Sequence, residues 1–390
     1  MKIAVIGLGK AGLPLAAVIA DSGFEVVGID LDEWKCEMIN SGKNPIPEEK
    51  GLDELIGRHG GKTLKATTSY EDASDCNAYI VIVPLFLDEH MNPDYAALEF
   101  AFRSVGKILK MEDIVVLETT VPPGTTENLV REWLEEESEL KLGEFYLAYS
   151  PERIMTGYSI SRLREFPKVI GGVDEESGER AYELYKKFVP NLHLVSNART
   201  AEFIKIIEGC YRDVNIALAN ELFKIAEEIG VDFYEAREKA NHEYCHIHLP
   251  STGVGGHCIP VYPWFLIREM EKKEKFSHAR LLRVSRELND EMINYWAEKI
   301  ISECLKVKKP LNEVKICIKG ITFREGVKEL YHSRNLTLAK LLAEKGLDVG
   351  VWDEMFTPEE VEELGLRWRE PGEADVVFDC FELMTLVKQA

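Results

Sequence analysis

Short apolar runs punctuate the first half of the chain, at 3–6, 26–30, 79–83, 114–119, 146–150 and 169–170. Several are apolar at every position instead of alternating, the pattern of parallel strands covered on both faces. Helical periodicity fills the intervals between them, and strands alternating with helices predict a doubly wound sheet over residues 1–196. From about Thr200 the pattern turns helical only, with apolar residues at helical spacing up to Gly230. A helix of that length packs against a second subunit or bridges two domains. A loop over 242–263 and a second helical stretch at 277–305 complete a central segment, 197–306. Strand-like runs at 314–318, 349–352 and 376–379, with a helical pattern at 336–344, predict a short final domain over 307–390. The expected fold class is α/β: two Rossmann-like doubly wound domains joined by a central helical dimerisation segment.

Composition changes the picture in three ways. A chain of 390 residues is too long for one ordinary core and predicts two or three domains. The 47 basic and 68 acidic residues leave a net charge of −21, dispersed along the chain, which disfavours nucleic acid and anionic membranes as partners. No apolar run reaches the ~18 residues of a membrane span. The opening Met1-Lys2-Ile3-Ala4-Val5-Ile6 enters a strand without the apolar core of a leader, so a cytoplasmic location is expected. The eight cysteines are scattered, without a Cys-x-x-Cys pair, and read as thiols.

Candidate chemistry begins at Gly7-Leu8-Gly9-Lys10-Ala11-Gly12, which follows a strand, opens a helix and precedes Asp30 at the end of the next strand. That context makes it a dinucleotide site: the glycines admit the pyrophosphate to a helix N-terminus, and Asp30 accepts from the ribose hydroxyls. The same carboxylate repels a 2′-phosphate, which favours NAD over NADP. Val83-Pro84 and the run Thr119-Thr120-Val121-Pro122-Pro123-Gly124-Thr125-Thr126 leave the carboxyl ends of two further strands, where such sheets bind ligands. Candidate cofactor contacts are Gly7, Gly9, Gly12, Asp30, Lys35, Pro84 and Thr120.

Cys258 lies in Gly253-Val254-Gly255-Gly256-His257-Cys258-Ile259-Pro260, where glycines would let a substrate approach closely. By itself the loop fits a nucleophilic thiol and a packing thiol equally. His242, Cys245, His246, His248, His257 and Cys258 fall within 17 residues, yet their spacing matches no standard zinc finger, and no metal is expected.

Taken together, Gly7-Leu8-Gly9-Lys10-Ala11-Gly12, Asp30, the Thr-rich run, Ser150-Pro151-Glu152-Arg153, Ala201-Glu202 with Lys205, Arg212-Asp213-Val214-Asn215, Asn220-Glu221 and the Cys258 loop resemble, in order and over almost the full length, the UDP-glucose/GDP-mannose dehydrogenase family. The resemblance implies an NAD-dependent oxidation of a sugar-nucleotide C6 alcohol to a carboxylate, consuming two NAD⁺ and one water. It implies Cys258 as nucleophile, Lys205 as oxyanion stabiliser, and Glu152 with Thr120 as the groups that direct water. For the UDP-sugar it implies Arg153, Arg212, His248, Gly255, His257 and Arg324, with a homodimer formed through the central helix. Met155 and Gly157, the run 212–221 and the Cys258 loop point to the N-acetylhexosamine branch, UDP-N-acetyl-D-mannosamine ahead of UDP-N-acetylglucosamine and UDP-glucose.

The chain also leaves the family pattern. Tyr262 stands where an Asp supports the thiol and the hydrolytic water, Gly209 where an Asn follows the lysine, and Tyr244 where a basic residue is usual. The nucleotide-binding signature is altered over 323–334, leaving Lys319, Arg324 and Arg334 as its basic candidates. Two expectations follow: a divergent dehydrogenase whose turnover rises on Tyr262→Asp, or a homologue that binds NAD and sugar nucleotide with little or incomplete turnover.

Overall fold

A computed structural model describes residues 1–153 and 157–387, in two compact units, Met1–Ile206 and Ile207–Ala390. In the first, the strands are β1 (Lys2–Ile6), β2 (Glu25–Ile29), β3 (Leu64–Thr67), β4 (Ala78–Val81), a hairpin β5 (Phe86–Leu87) and β6 (Pro93–Asp94), β7 (Ile114–Leu117), β8 (Tyr146–Tyr149), β9 (Lys168–Gly172) and β10 (Leu192–Leu194). Eight of them form one sheet ordered β10-β9-β8-β7-β4-β1-β2-β3. Its strands run parallel except where β9 turns antiparallel to β8. Helices α1 (Gly12–Asp21), α2 (Glu33–Asn40), α3 (Leu52–His59), α4 (Ala96–Gly106), α5 (Arg131–Ser138), α6 (Ser159–Glu165) and α7 (Glu175–Tyr185) connect the strands. Two buried clusters form, one including Ile3, Val5, Leu13 and Ile19, the other Ala4, Ile6, Phe102 and Trp133. Alternate residues of β1 thus enter separate clusters, which is why that strand is apolar throughout.

α8 (Ala198–Glu228) begins in the first unit and continues into the second. The second unit then adds α9 (Phe233–Ala240), α10 (Tyr262–Lys272) and α11 (Arg280–Cys304). Beyond these comes a five-stranded sheet ordered β13-β12-β11-β14-β15. Its members are β11 (Lys315–Lys319), β12 (Asp348–Trp352), β13 (Arg367–Trp368), β14 (Val376–Asp379) and β15 (Met384–Val387), with α12 (Arg334–Glu344) and α13 (Pro358–Glu363) as connections. Phe223, Trp296, Ile318, Leu338 and Phe378 share one core, so the central helices and the last sheet fold as one body. No helix among the described residues is long and apolar enough to cross a membrane.

Candidate active site

The cofactor turn is built by exclusion. A Cβ on Gly12 would lie 1.8 Å from the Gly7 carbonyl oxygen, and one on Gly7, at φ +94°, would lie 2.9 Å from that of Ile82. Neither position tolerates a side chain, whereas a Cβ on Gly9 meets nothing within 4 Å. The open face at Gly9, beside the start of α1, fits a pyrophosphate. Asp30 is fixed at the end of β2 by three donors: Leu8 N–H at 2.8 Å, Asp32 N–H at 3.1 Å and Lys35 Nζ at 2.9 Å. Lys35 is therefore the partner that orients this carboxylate. Thr119 Oγ1 donates to the Val83 carbonyl at 2.5 Å, joining the loop that carries Pro84 to the one that carries Thr120.

Lys205 and Glu152 come together. Lys205 Nζ donates to the Glu152 backbone carbonyl at 2.6 Å and lies 3.2 Å from its carboxylate, both side chains being largely buried. A cation and a carboxylate in contact can hold an alkoxide and a water in one place. Beneath them lies a network that the sequence did not announce. Lys168 Nζ pairs with Glu118 at 2.8 Å and donates to the Pro151 carbonyl at 3.2 Å, while Tyr185 OH donates to Glu118 at 2.6 Å. Arg153 donates to the Pro167 carbonyl at 2.6 Å, and Glu49 accepts from the Gly157 and Ser159 amides. Met155 lies outside the described residues.

Glu202, one turn before Lys205 on α8, is fully buried and accepts from the Gly124 and Thr126 amides and the Thr126 hydroxyl. It anchors the Thr-rich loop to α8. Burial lifts its carboxyl from the usual 4.5 to about 7, against the pull of those donors. The folded chain thus keeps a proton that the unfolded chain releases, so stability falls as pH climbs from 4.5 through 7. Glu202→Gln removes the titration and turns one acceptor into a donor facing an N–H. Urea unfolding of this variant is expected to show a loss of about 1–3 kcal/mol at pH 5. Its stability should also vary less than the parent's between pH 5 and 8; an equal slope would remove Glu202 as the cause.

In the second unit the Cys258 thiol is exposed and Cys245 is half-buried; the other six cysteines of the chain, two of them in the first unit, are buried. Burial pushes Cys76, Cys210 and Cys317 up to about 12, so they stay protonated. The loop's glycines are required by packing, whatever else approaches them. A Cβ on Gly255 would lie 2.7 Å from the His332 carbonyl oxygen and 2.8 Å from Phe323 Cβ. On Gly253 it would lie 2.7 Å from the Asn289 carbonyl oxygen and 3.1 Å from Arg334 Cγ. His257 stacks on Tyr331 at 3.9 Å, and its Nε2 lies 2.8 Å from Glu329.

Asp213 and Asn220, prominent in the sequence, face inward. Asp213 pairs with Arg286 at 2.6 Å and accepts from Asn289; Asn220 bridges Asn289 and the Ser251 amide. Together they secure the chain entering the Cys258 loop. Arg286 and Asn289 lie some 70 residues from them and Ser251 lies 31 from Asn220, beyond the reach of spacing arguments.

Lys319 and Arg334, expected to serve the nucleotide, are paired with Asp379 and Asp290. Burial and the neighbouring Arg286 lower Arg334 to about 10. The Thr322 hydroxyl donates to the Arg324 carbonyl at 3.0 Å. His248 is lowered first by burial, then by His246, Arg212 and Arg237 nearby. Among the described residues no group of three His, Cys, Asp or Glu could hold a metal ion.

A dinucleotide turn on a doubly wound sheet, a lysine–carboxylate pair and an exposed thiol define an NAD-dependent oxidoreductase. The NAD-binding domain of the UDP-glucose/GDP-mannose dehydrogenase family matches residues 1–189, and the family's central domain matches 199–291. The chain is 38% identical over 360 residues to the UDP-N-acetyl-D-mannosamine dehydrogenase of Methanococcus maripaludis, covering 90% of this chain and 79% of that one. It is 36% identical over 360 residues to the NDP-N-acetyl-D-galactosaminuronic acid dehydrogenase of Ralstonia nicotianae, covering 88% and 81%. The solved structure of the UDP-D-ManNAc dehydrogenase from Pyrococcus horikoshii superposes with a TM-score of 0.87 at 34% identity, covering 97% of this chain and 89% of that one. The chain belongs to the UDP-glucose/GDP-mannose dehydrogenase family.

Proposed function

We propose that the protein oxidises the C6 hydroxymethyl of UDP-N-acetyl-D-mannosamine to the uronic acid in the cytoplasm. Two hydrides leave C6, one water supplies the second carboxylate oxygen, and three protons are released. NAD⁺, held at the glycine turn with Asp30 toward its ribose, accepts the hydride in each oxidation. Lys205 opposes the charge that develops on the C6 oxygen. The Cys258 thiolate adds to the aldehyde carbon as a thiohemiacetal, and the second oxidation leaves a thioester on its sulfur. Glu152, with Thr120, directs water at that thioester and takes its proton. Arg153, Arg212, His248, Gly255, His257 and Arg324 are the proposed contacts of the sugar nucleotide. In this reading residues 1–196 bind the cofactor, 197–306 carry the thiol and the dimer contact, and 307–390 hold the nucleotide.

The observation that carries the proposal is the contact between Lys205 and Glu152, the two charged groups that the chemistry at C6 requires. Purified protein, NAD⁺ and a panel of UDP-sugars test it. Two NADH per UDP-N-acetyl-D-mannosamine, with slower turnover of UDP-N-acetylglucosamine and UDP-glucose, are expected. One NADH per sugar means that oxidation stops at the aldehyde; tight binding without NADH overturns the enzymatic reading.

We infer also a homodimer through α8. Phe203, Ile207, Tyr211, Leu218 and Ile225 are exposed at spacings of four and seven along that helix, a stripe that water penalises. Sedimentation velocity should give a dimer of 44.3-kDa chains that Leu218→Glu weakens. A monomeric parent ends this inference.

A further inference from the structure

A glycine inside a helix is unfavourable by about 1 kcal/mol relative to alanine and calls for a packing reason. Gly209 is the only glycine in α8, and its reason is visible. A Cβ there would lie 2.5 Å from Tyr262 Cδ2, 3.2 Å from its Cγ and 3.3 Å from its Cβ. The tyrosine ring fills the notch, is 6% exposed, and stacks on Phe265 at 6.1 Å. The two positions that depart from the family pattern near the thiol are therefore one packed pair.

Tyr262 is also tied to the thiol by its backbone. The amides of Val261 and Tyr262 both donate to the Cys258 carbonyl, at 3.1 and 3.0 Å, closing a turn from the cysteine into α10. A turn so closed moves as a unit, so the seat of the ring fixes where Cys258 sits. The glycines on its other side are filled by Phe323, the His332 carbonyl and Arg334, leaving the loop little room to adjust.

We propose that Tyr262, seated in the Gly209 notch of α8, is a positioning residue for Cys258, and that Gly209 and Tyr262 act as one interlocked device. The proposal rests on the reading of Cys258 as nucleophile. It reverses the expectation that an Asp at 262 raises turnover: Tyr262→Asp empties the notch and places a carboxylate against bare helix backbone. Polar groups can return to this spot only at both positions at once.

The test uses the full chain. Alkylation of Cys258 by iodoacetamide is followed from pH 6 to 10, with Cys258→Ser as background, beside kcat and KM for UDP-N-acetyl-D-mannosamine. Gly209→Ala, which displaces the ring, is expected to lower kcat about 10- to 100-fold with KM nearly unchanged, the loss typical of a displacement near 1 Å. It should also shift the pH midpoint of alkylation. Tyr262→Phe, which keeps the ring in the notch, is expected to stay closer to the parent in both readings than Gly209→Ala does. Tyr262→Ala lowers kcat, and adding Gly209→Ala to it brings no further loss, because nothing remains to collide. Tyr262→Asp lowers kcat, and Gly209→Asn restores part of it. A parental kcat and alkylation profile in Gly209→Ala, or effects of the two alanine changes that simply multiply, would overturn the proposal. If Gly209→Ala shows no cooperative melt, Tyr262→Leu, which fits the notch poorly but adds no collision, takes its place: a lowered kcat with a shifted alkylation midpoint supports the interlock, and parental values overturn it. A parent without turnover overturns the nucleophile reading alone, while the alkylation profiles still judge the interlock.

Discussion

Cys258→Ala is expected to reduce the formation of uronic acid by about 10⁴-fold or more, the scale of losing the proposed nucleophile, for which water is the only substitute. Affinities for NAD⁺ and for UDP should be unchanged in calorimetry. The thiol is exposed, the side chain is small, and the loop is held by its glycine contacts and the backbone bonds to the Cys258 carbonyl, so folding does not depend on sulfur. The split between the two oxidations is the sharper measurement. In the proposed mechanism the first needs only Lys205 and a hydride acceptor, so a slow single NADH per sugar is expected to persist, with aldehyde trapped by hydroxylamine. Two NADH per sugar at the parental rate would mean that the hydrated aldehyde is oxidised without a covalent intermediate.

The parts of the fold that could be read from the chain are those whose physics is local. β1, β2, β4, β7 and β8 are apolar at almost every position because helices cover both faces, and they were legible as parallel strands. β3 was not, since its four residues alternate and Lys65 faces water. The edge strands β13 and β15 were missed for the same reason, being short and half-exposed. The cofactor turn was legible because its glycines answer to neighbours within a few residues and one adjacent strand. The packing of the Cys258 loop is not legible because the atoms that demand its glycines, on Asn289, Phe323, His332 and Arg334, are far along the chain. Distance in sequence also hid the contact between Gly209 and Tyr262, although each stands out separately.

The same holds for Lys168, which no motif contains and whose replacement is expected to have the largest effect on stability. Its ammonium and the Glu118 carboxylate are 4% and 1% exposed and 2.8 Å apart at the base of the loop carrying Glu152. In Lys168→Met the carboxylate stays buried with Tyr185 OH as its remaining side-chain donor among the described residues. Breaking such a pair from one side is unfavourable by about 3–5 kcal/mol, a large share of the roughly 5–15 kcal/mol that keeps a domain folded. Urea unfolding should show that loss in Lys168→Met. In Glu118→Gln/Lys168→Met, where no charge is stranded, less than half of it should remain. The pair is thus expected to add little net stability over a neutral pair while making each partner indispensable to the other. Its further role is to grip the Pro151 carbonyl. The double variant, though folded, should therefore still turn over more slowly than the parent, because Glu152 has lost the floor beneath it. Parental turnover in that variant would confine Lys168 and Glu118 to folding alone.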